Sequence, residues 1–249
     1  MKDPNPALTQ TSPLGAAAPT KPRETPASIL SWEANTDHQL FELLAGDWYG
    51  ANPTEKIDLI RKDKVDRAKF LCQDLQLKSD AVVLEVGSGI GFSSKHIAST
   101  VRQLCCCDIS ESFLAYAQRE CRDVPNISFH KIDNPPVLPF APAFFDAVVS
   151  DAVFIHLNLY DIYWYFSEFG KVVKPGGKVW INIMDDATIV KEKLVENAEL
   201  YRKDKAALKV LLCWNSIPAV LEVAAYFGFS LIHRHPESVS VNLQFSKTS

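Results

Sequence analysis

Long apolar runs and blocks of like charge are both missing from this sequence. No segment approaches the roughly 20 consecutive apolar residues that a membrane-spanning helix needs, and the first residues lack the apolar core of a signal peptide. The 26 basic and 30 acidic residues are spread along the chain and leave a net charge of −4. We therefore expect a cytoplasmic protein with no membrane contact and no extended nucleic-acid surface.

Cysteine pairs with metal-binding spacing are also absent. The chain has six cysteines but no Cys-x-x-Cys motif, and Cys105, Cys106 and Cys107 are consecutive within an apolar run. On a strand, neighbouring side chains point to opposite faces, so these three cannot converge on one metal ion. We interpret them as small apolar side chains of a buried strand in a reduced protein, and expect no metal site.

The composition divides the chain into a tail and one folded domain. Residues 1–30 contain six of the fifteen prolines and no aromatic residue, which favours a disordered tail. From residue 31 to 249 we expect a single domain. It divides into N-terminal helices at 31–78, a core at 79–185, and a cap helix with a closing hairpin at 186–249. In the N-terminal part, residues at three- and four-residue spacing give one apolar helical face, namely Val65, Ala68, Cys72 and Leu75.

Short β-branched runs alternate with helical patterns after residue 79. The predicted strands are 81–86, 102–107, 127–132, 145–150 and 178–184, and the helices between them are 92–99, 111–121 and 161–173. Strands that are nearly continuously apolar indicate a parallel sheet covered on both faces. Pro175-Gly176-Gly177 predicts a sharp turn before the fifth strand.

The last part of the chain departs from this alternation. A polar helical stretch at 187–212 and a second helix at 217–227 precede two closely spaced apolar runs, 229–233 and 239–245. Strands joined by so short a link pair antiparallel. The sequence therefore predicts a doubly wound α/β sheet of about seven strands, mostly parallel, with an antiparallel hairpin at its C-terminal end.

The strongest chemical signal is a glycine-rich turn after the first predicted strand. The strand ends at Val86 and is followed by Gly87-Ser88-Gly89-Ile90-Gly91 just before a helix, and Glu85 lies two residues before the first glycine. Glycines let the backbone approach a ligand closely, and the helix offers unpaired N–H groups at its start. The Gly-x-Gly-x-Gly spacing places Phe92 where a dinucleotide fold has its third glycine. The carboxylate of Glu85 suits a ligand with an amino group and a sulfonium better than a pyrophosphate.

Two further acids follow successive strands. Asp108 closes the second strand, where a carboxylate can accept both hydroxyls of a ribose. Asp133 follows the third strand, where it could accept a hydrogen bond from an adenine amino group while Ile132 packs on the ring. Each acid taken singly is more often a helix cap or turn residue, but three of them together with the glycine loop favour a nucleoside site.

These motifs together resemble the class I S-adenosylmethionine-dependent methyltransferases, which have a Rossmann-like fold. The matching stretches are Val-Leu-Glu-Val-Gly-Ser-Gly-Ile-Gly at 83–91, Cys-Asp-Ile-Ser at 107–110, Leu-Pro-Phe at 138–140, Phe-Asp-Ala-Val-Val-Ser at 145–150 and Val-Lys-Pro-Gly-Gly at 173–177. The resemblance is close over residues 55–185. It departs at Asn134-Pro135-Pro136, where many relatives have a smoother acidic stretch.

The resemblance implies that S-adenosyl-L-methionine is the cofactor and that methyl transfer to an O, N or C nucleophile is the reaction. It implies that Glu85 and the loop hold the methionine part, that Asp108 with its neighbour Ile109 holds the ribose, and that Ile132 with Asp133 holds the adenine. Two residues at the end of the fourth strand, Ser150 and Asp151, would lie near the transferring methyl.

The remaining candidates concern the acceptor. His156 follows the fourth strand and is the best candidate for a general base, since an imidazole with a pKa near ~6.5 can take a proton at neutral pH. A packing or hydrogen-bonding role for it is the alternative. Tyr160 belongs to an aromatic cluster that could contact a substrate or belong to the core. Trp48 and Tyr49 are candidates for a lid, against simple packing on the sheet.

Three functions stay open at this point. The first is methyl transfer to a small-molecule substrate, which we favour because the chain has no added basic domain. The second is methyl transfer to a macromolecule such as RNA or protein. The third is binding of the cofactor or a relative of it without transfer. A hydride-transferring dehydrogenase is disfavoured by Glu85 and by the glycine spacing.

Overall fold

The computed structural model describes residues 32–45, 55–133, 135–189, 191–203, 212–237 and 240–248. The predicted disordered tail at residues 1–30 lies outside these ranges, as do the two lid candidates Trp48 and Tyr49. None of the helices in the described ranges is long and apolar enough to cross a membrane.

A sheet of eight strands forms the centre of the protein. The strands are β1 (Val82–Val86), β2 (Gln103–Asp108), β3 (Ile127–Lys131), β4 (Phe145–Ser150), β5 (Val173–Asp185), β6 (Trp214–Asn215), β7 (Phe229–Pro236) and β8 (Val241–Lys247). Their order across the sheet is β3-β2-β1-β4-β5-β8-β7, and the two-residue β6 pairs with β5 outside this order. The pairs from β3 to β5 are all parallel. The order in which strands are added reverses at β1, because β2 and β3 lie on one side of it and β4 and β5 on the other, so ligands are expected at the carboxyl ends of these strands.

The C-terminal strands pair antiparallel, as the sequence predicts. β7 pairs with β8, and β8 pairs with β5, both in antiparallel register. The hairpin inserts its second strand next to β5, which leaves β7 at the edge of the sheet. The predicted mostly parallel α/β sheet with an antiparallel C-terminal hairpin is therefore confirmed.

Seven α-helices surround the sheet in the described ranges. They are α1 (Asp37–Ala45), α2 (Ile57–Asp74), α3 (Phe92–Thr100), α4 (Glu111–Glu120), α5 (Leu159–Val172), α6 (Lys191–Lys203) and α7 (Ile217–Tyr226). Side-chain hydrogen bonds cap the N-termini of two of these helices. The Ser110 hydroxyl accepts the Phe113 N–H at the start of α4, and Asn158 with Asp161 forms a capping box on α5.

Each face of the sheet has its own apolar core. Side chains of α5 and α7 pack on one face, and those of α2 and α3 pack on the other. The three consecutive cysteines divide between the faces, since Cys105 and Cys107 belong to the first core and Cys106 to the second. Their predicted alternation on a buried strand is confirmed, and it follows from the two-residue period of a strand.

The structure corrects the sequence at the start of the fifth strand. Pro175-Gly176-Gly177 is not a turn before the strand but lies inside β5, which begins at Val173. The pairing with β4 shifts at this point, because Phe145 pairs with Val173 and Ala147 with Lys178. Gly176 has a φ of +73°, and a Cβ on Gly177 would lie 2.7 Å from a methyl of Val173. Residues 174–177 face a single residue of β4, so they form an irregular stretch within β5, and the prediction is wrong in placing this turn before the strand rather than inside it.

Candidate functional site

A cavity of about 200 Å³ opens at the carboxyl ends of β1, β2 and β4. Its wall includes the turn between β1 and α3 and the segments that follow β2 and β4. One water needs only about 15 Å³ of such volume, so this space is a ligand site rather than a hydration site. The position is the one where open α/β sheets bind their ligands.

The turn that begins at Gly87 shapes the centre of this cavity. Gly87, Gly89 and Gly91 have φ values of +77°, +53° and +85°, in the left-handed region that favours glycine. A Cβ on Gly87 would lie 2.0 Å from a methyl of Val153, so the turn and the segment after β4 touch closely. Gly91 starts α3 behind the turn, where a Cβ would meet Ala117 at 3.1 Å.

Ser88, within the turn, carries a hydroxyl whose hydrogen-bonding capacity is unused. Its side chain lines the cavity, the residue is 7% exposed, and its Oγ has no hydrogen-bond partner among the described residues. A buried hydroxyl without a partner costs free energy. Its Oγ is itself inaccessible, so a polar ligand atom in the cavity supplies the missing partner only when the hydroxyl turns toward the cavity.

Asp108 presents a buried carboxylate at the end of β2. Its Oδ2 accepts the N–H of Gly89 at 2.9 Å, and its Oδ1 accepts the N–H of Ser110 at 2.9 Å. Burial raises the pKa of Asp108 to about 6, although these backbone N–H groups lower it. Each carboxylate oxygen has a second lone pair, so Asp108 can also accept two hydroxyl groups of a sugar.

Glu85 is a second buried carboxylate, 6% exposed, at the base of the turn. Burial, with a smaller contribution from the negative charge of Asp151, raises its pKa to about 7, although the thiol of Cys106 and the ammonium of Lys64 lower it. The thiol of Cys106 donates to its Oε2 at 3.4 Å. A carboxyl group that titrates near neutrality becomes fully charged when a cation binds beside it.

Asp151 follows β4 and lies between two cations of α2. Arg67 donates to its Oδ1 from Nε at 2.9 Å, and the ammonium of Lys64 lies 3.7 Å from its Oδ2. The next residue, Ala152, has a φ of +59° and donates its N–H to the buried side chain of Asn182 at 2.8 Å. A non-glycine residue in this conformation is held there by its surroundings, so the end of β4 has a fixed shape.

His156 lies in a 3₁₀ turn, Phe154–His156, and its side chain lines the cavity. The ring of Trp32 meets it edge-on with a centroid distance of 5.3 Å, and Trp32 also contacts Phe113 at 6.2 Å. Together with Leu43 and Leu44 of α1, Trp32 covers this side of the cavity. The covering segment, residues 32–45, precedes the lid region that the sequence indicates.

Glu33 fastens the covering segment to the start of α4. Its Oε1 accepts the N–H of Glu111 at 2.8 Å, and its Oε2 accepts the N–H of Ser112 at 3.1 Å. The Ser112 hydroxyl in turn accepts the N–H of Ala34 at 3.0 Å. Burial by itself would raise the pKa of Glu33, but the donors from Ser112 and Glu111 hold it below its usual value. The carboxylate therefore acts as a helix cap supplied from a distant part of the chain.

The structure brings most of the sequence-predicted site residues to this one cavity. Those that line it are Glu85, Gly87, Ser88, Gly89, Asp108, Ile109, Ile132, Asp151 and His156.

Four predicted residues do not line the cavity. Gly91 supports the turn from behind, and the buried hydroxyl of Ser150 donates to the carbonyl of Val86 at 2.9 Å. Asp133 is exposed, and Tyr160 is 81% exposed on α5. Trp48 and Tyr49 lie outside the described residues.

Several lining residues have no signal in the sequence. Trp32, Lys64, Phe113 and Tyr165 belong to helical or irregular stretches far from the glycine turn in the chain. Lys64 is four residues from each of the buried Ile60 and Ala68, so the helical period puts it on the inner face of α2, but only the packing of α2 beside β4 shows that it reaches the cavity. The sequence could have indicated Val153 and Leu157 as lining residues, because they come shortly after the fourth strand, at the edge of the sheet where ligands bind.

Comparison with known proteins finds a family model that matches the core of the chain. Residues 83–177 match the family model described as a methyltransferase domain. Demethylmenaquinone methyltransferase from Tropheryma whipplei is 32% identical over 108 residues, which are 43% of this chain and 44% of that protein. The chain thus spans less than half the length of the curated relatives that it matches.

Solved structures share the fold over most of the chain. Geranyl diphosphate C-methyltransferase from Streptomyces coelicolor superimposes with a TM-score of 0.66 at 13% identity, covering 90% of this chain and 98% of that one. Magnesium protoporphyrin IX methyltransferase from Synechocystis, solved with bound S-adenosylhomocysteine, gives 0.62 at 17% identity, covering 86% and 95%. The Rossmann-like methyltransferase fold is thereby confirmed, as is the family resemblance that the motifs carry over residues 83–177.

Proposed function

We propose that this chain, whose residues 83–177 form a class I S-adenosylmethionine-dependent methyltransferase domain, transfers a methyl group to a small-molecule acceptor. The observation that carries the proposal is the convergence of the glycine turn, two buried carboxylates and an unpartnered serine hydroxyl on one cavity. When bound, S-adenosylmethionine supplies an electrophilic methyl group on a sulfonium. The chain itself has to hold the cofactor, orient the acceptor and exclude water.

The residues present fit this cofactor at three points. Asp108 holds the ribose hydroxyls, since its oxygens keep free lone pairs after accepting the N–H groups of Gly89 and Ser110. Ile132, which is 3% exposed on the cavity wall, packs on the adenine. Glu85 and the hydroxyl of Ser88 serve the methionine end, where a positive ligand compensates the buried carboxylate.

A small acceptor suits the cover and the lining of the cavity. The lining beside His156 is apolar, with Trp32, Val153 and Leu157 nearby, and three residues of the covering segment, Trp32, Leu43 and Leu44, belong to the cavity wall. Relatives that are named for small acceptors include the demethylmenaquinone, protoporphyrin and geranyl diphosphate methyltransferases. We assign His156 as the general base or acceptor-orienting group, because its imidazole lines the cavity among these apolar side chains.

The test is transfer of labelled methyl from S-adenosylmethionine to a panel of acceptors. Small apolar ring compounds with a hydroxyl or a nucleophilic carbon should become labelled, and RNA and protein mixtures should not. His156→Ala should lower turnover by about 10²–10⁴-fold and leave S-adenosylhomocysteine affinity nearly unchanged. His233→Ala, on the edge strand β7, is the matched control. Labelling of RNA or protein alone would overturn the small-molecule assignment.

A further inference from the structure

Exposed aromatic rings form a continuous surface on the outer side of α5. Tyr160 is 81% exposed, Trp164 is 46% exposed, and Tyr226 at the end of α7 is 75% exposed. Tyr163 joins them, because its ring contacts that of Trp164 at 5.5 Å and that of Tyr226 at 6.2 Å. None of the four lines the cavity. We call these four residues the aromatic patch.

The aromatic patch has the size and composition of an interaction surface. Judged from the exposed fractions, its four rings leave about 500 Å² accessible to solvent. Patches of this size on soluble proteins often have a function. Tyrosine and tryptophan are also the side chains that most often supply the binding energy of protein interfaces.

The outer side of α5 has a pattern that complements a second copy of the same helix. Tyr160, Trp164, Ser167 and Lys171 follow one another at spacings of four, three and four residues, which is the spacing of the contact residues in a packed helix pair. Two copies of α5 that pack antiparallel about a twofold axis place Trp164 opposite Ser167 and Tyr160 opposite Lys171. Each large ring then faces a smaller or more flexible side chain.

The charges of α5 also favour the antiparallel arrangement. The helix has an acid, Asp161, in its first turn and a base, Lys171, in its last turn. An antiparallel pair brings the basic end of one copy to the acidic end of the other, whereas a parallel pair brings like ends together. Lys171 binds Glu168 of its own helix but is 61% exposed, so its ammonium can also lie over the ring of Tyr160 in the second copy.

The area of the patch is sufficient for a dimer. Covering the aromatic patch on both copies removes about 1,000 Å² from water before any surrounding polar surface is counted, which reaches the lower bound of a specific interface. A membrane surface also accommodates exposed aromatic rings. Two acids flank the patch, however, since Asp161 follows Tyr160 and the exposed Glu222 lies one turn before Tyr226. The anionic surface of a membrane repels such acids.

We propose that the aromatic patch is the interface of a homodimer in which the α5 helices of two copies pack antiparallel about a twofold axis. This inference goes beyond the proposed function and does not depend on it, because no residue of the patch belongs to the cavity wall. Each copy keeps its own cavity in such a dimer.

Sedimentation equilibrium of the full chain at several concentrations tests the proposal. The wild-type chain should form a species of twice the mass of one chain. Trp164→Ser should raise the dissociation constant of the dimer roughly 30-fold or more, since an interface anchor is lost from both copies. Ser167→Arg, which fills the space opposite Trp164, should weaken the dimer as well. Tyr201→Ser, on the exposed side of α6, is the matched control and should change nothing.

The opposing results are distinct. A wild-type chain that stays monomeric at about 100 μM would overturn the proposal, since specific dimers of this area associate more tightly. A dimer that persists unweakened in Trp164→Ser and Tyr160→Ser would place the interface on another surface and overturn it too. So would a monomer whose binding to phosphatidylserine vesicles is lost in these variants. Melting curves exclude loss of fold, and Tyr160→Ser changes a side chain that is almost fully in solvent.

Discussion

Glu85 places a carboxyl group where the free protein does not favour its charge. The side chain is 6% exposed, and burial raises its pKa to about 7. In the unfolded chain a glutamate titrates near ~4.3. The folded state therefore prefers the protonated form, and the charged form becomes useful only when a cationic ligand lies beside it. The stability of the fold favours the protonated form of this residue, whereas the binding of a cationic ligand favours its charged form.

We therefore expect Glu85→Gln to raise the free energy of unfolding of the ligand-free protein, and to raise it more at pH 8 than at pH 5. Because the folded-state pKa is raised, wild type loses stability as the pH rises from about 4.5 to about 7, and the glutamine variant does not. The advantage of the variant should grow by on the order of 2 kcal/mol between pH 5 and pH 8. Thermal unfolding at both pH values measures this, with the exposed Glu42→Gln as control. An advantage independent of pH would contradict the burial argument.

Variants of Asp108 and Asp133 test the ribose assignment and the adenine assignment separately. Asp108→Ala should weaken S-adenosylhomocysteine binding about 100-fold or more, since two charged hydrogen bonds of roughly 1.5–3 kcal/mol each are lost. Asp133→Ala should change the affinity by less than about threefold, because its exposed side chain does not line the cavity. Calorimetric titration of both variants with S-adenosylhomocysteine measures these affinities. A large loss in Asp133→Ala would restore the adenine contact that the sequence suggests.

Single residues differ in how far the sequence could locate them. Glu85 and Asp108 could be placed at the site because they end strands of a parallel sheet, and such ends meet at one edge. Trp32 and Lys64 could not, because their approach to the cavity depends on how α1 and α2 pack. Tyr160 belongs to an aromatic cluster in the sequence, yet it is 81% exposed because it occupies the outer side of α5.

Among the elements, the covering segment is joined to α4 because its Glu33 side chain caps the N-terminus of that helix. Two backbone N–H groups at the start of α4 are satisfied by Glu33, and Arg119 near its end pairs with Asp37 at 2.7 Å. Phe41 of α1 packs edge-on against Tyr116. The covering segment and α4 are thus joined by hydrogen bonds, an ion pair and a ring contact.

Glu33→Ala should loosen this cover. Loss of a helix cap costs about 0.5–2 kcal/mol, and the segment carrying Trp32 should open more often. We expect a modest fall in melting temperature and several-fold faster dissociation of S-adenosylhomocysteine, followed by stopped-flow fluorescence. Glu42→Ala, an exposed change on α1, should leave the dissociation rate unchanged. An unaltered rate in Glu33→Ala would mean that the cover does not control ligand escape.

Elements with strong periodicity could be predicted closely. The first four strands lie within one or two residues of their predicted bounds, since their β-branched runs are bounded by polar turns. The fifth strand is longer than predicted because an irregular stretch at residues 174–177 carries the strand through a turn signal. A local glycine signal cannot distinguish a turn before a strand from an irregular stretch inside it when the neighbouring strand decides the pairing.

At the scale of the whole molecule, the sheet and its two apolar cores bring the residues proposed to contact the ligand to one edge of the sheet. The hairpin β7–β8 closes the sheet beside β5, away from the β1, β2 and β4 ends that form the cavity. The glycine turn and the carboxylates of Glu85 and Asp108 therefore line one cavity. A ligand that binds only the folded state also stabilises it, by about 2.7 kcal/mol at a hundred times its Kd.

The central claim is that this cavity binds S-adenosylmethionine rather than a dinucleotide. Isothermal titration calorimetry of the full chain with S-adenosylhomocysteine and, separately, with NAD⁺ tests it most directly. The account predicts one S-adenosylhomocysteine per chain at micromolar affinity or better, with binding that strengthens as the pH rises toward 7 and Glu85 ionises. NAD⁺ should give no heat of binding. Saturable binding of NAD⁺ with S-adenosylhomocysteine ignored would contradict the account.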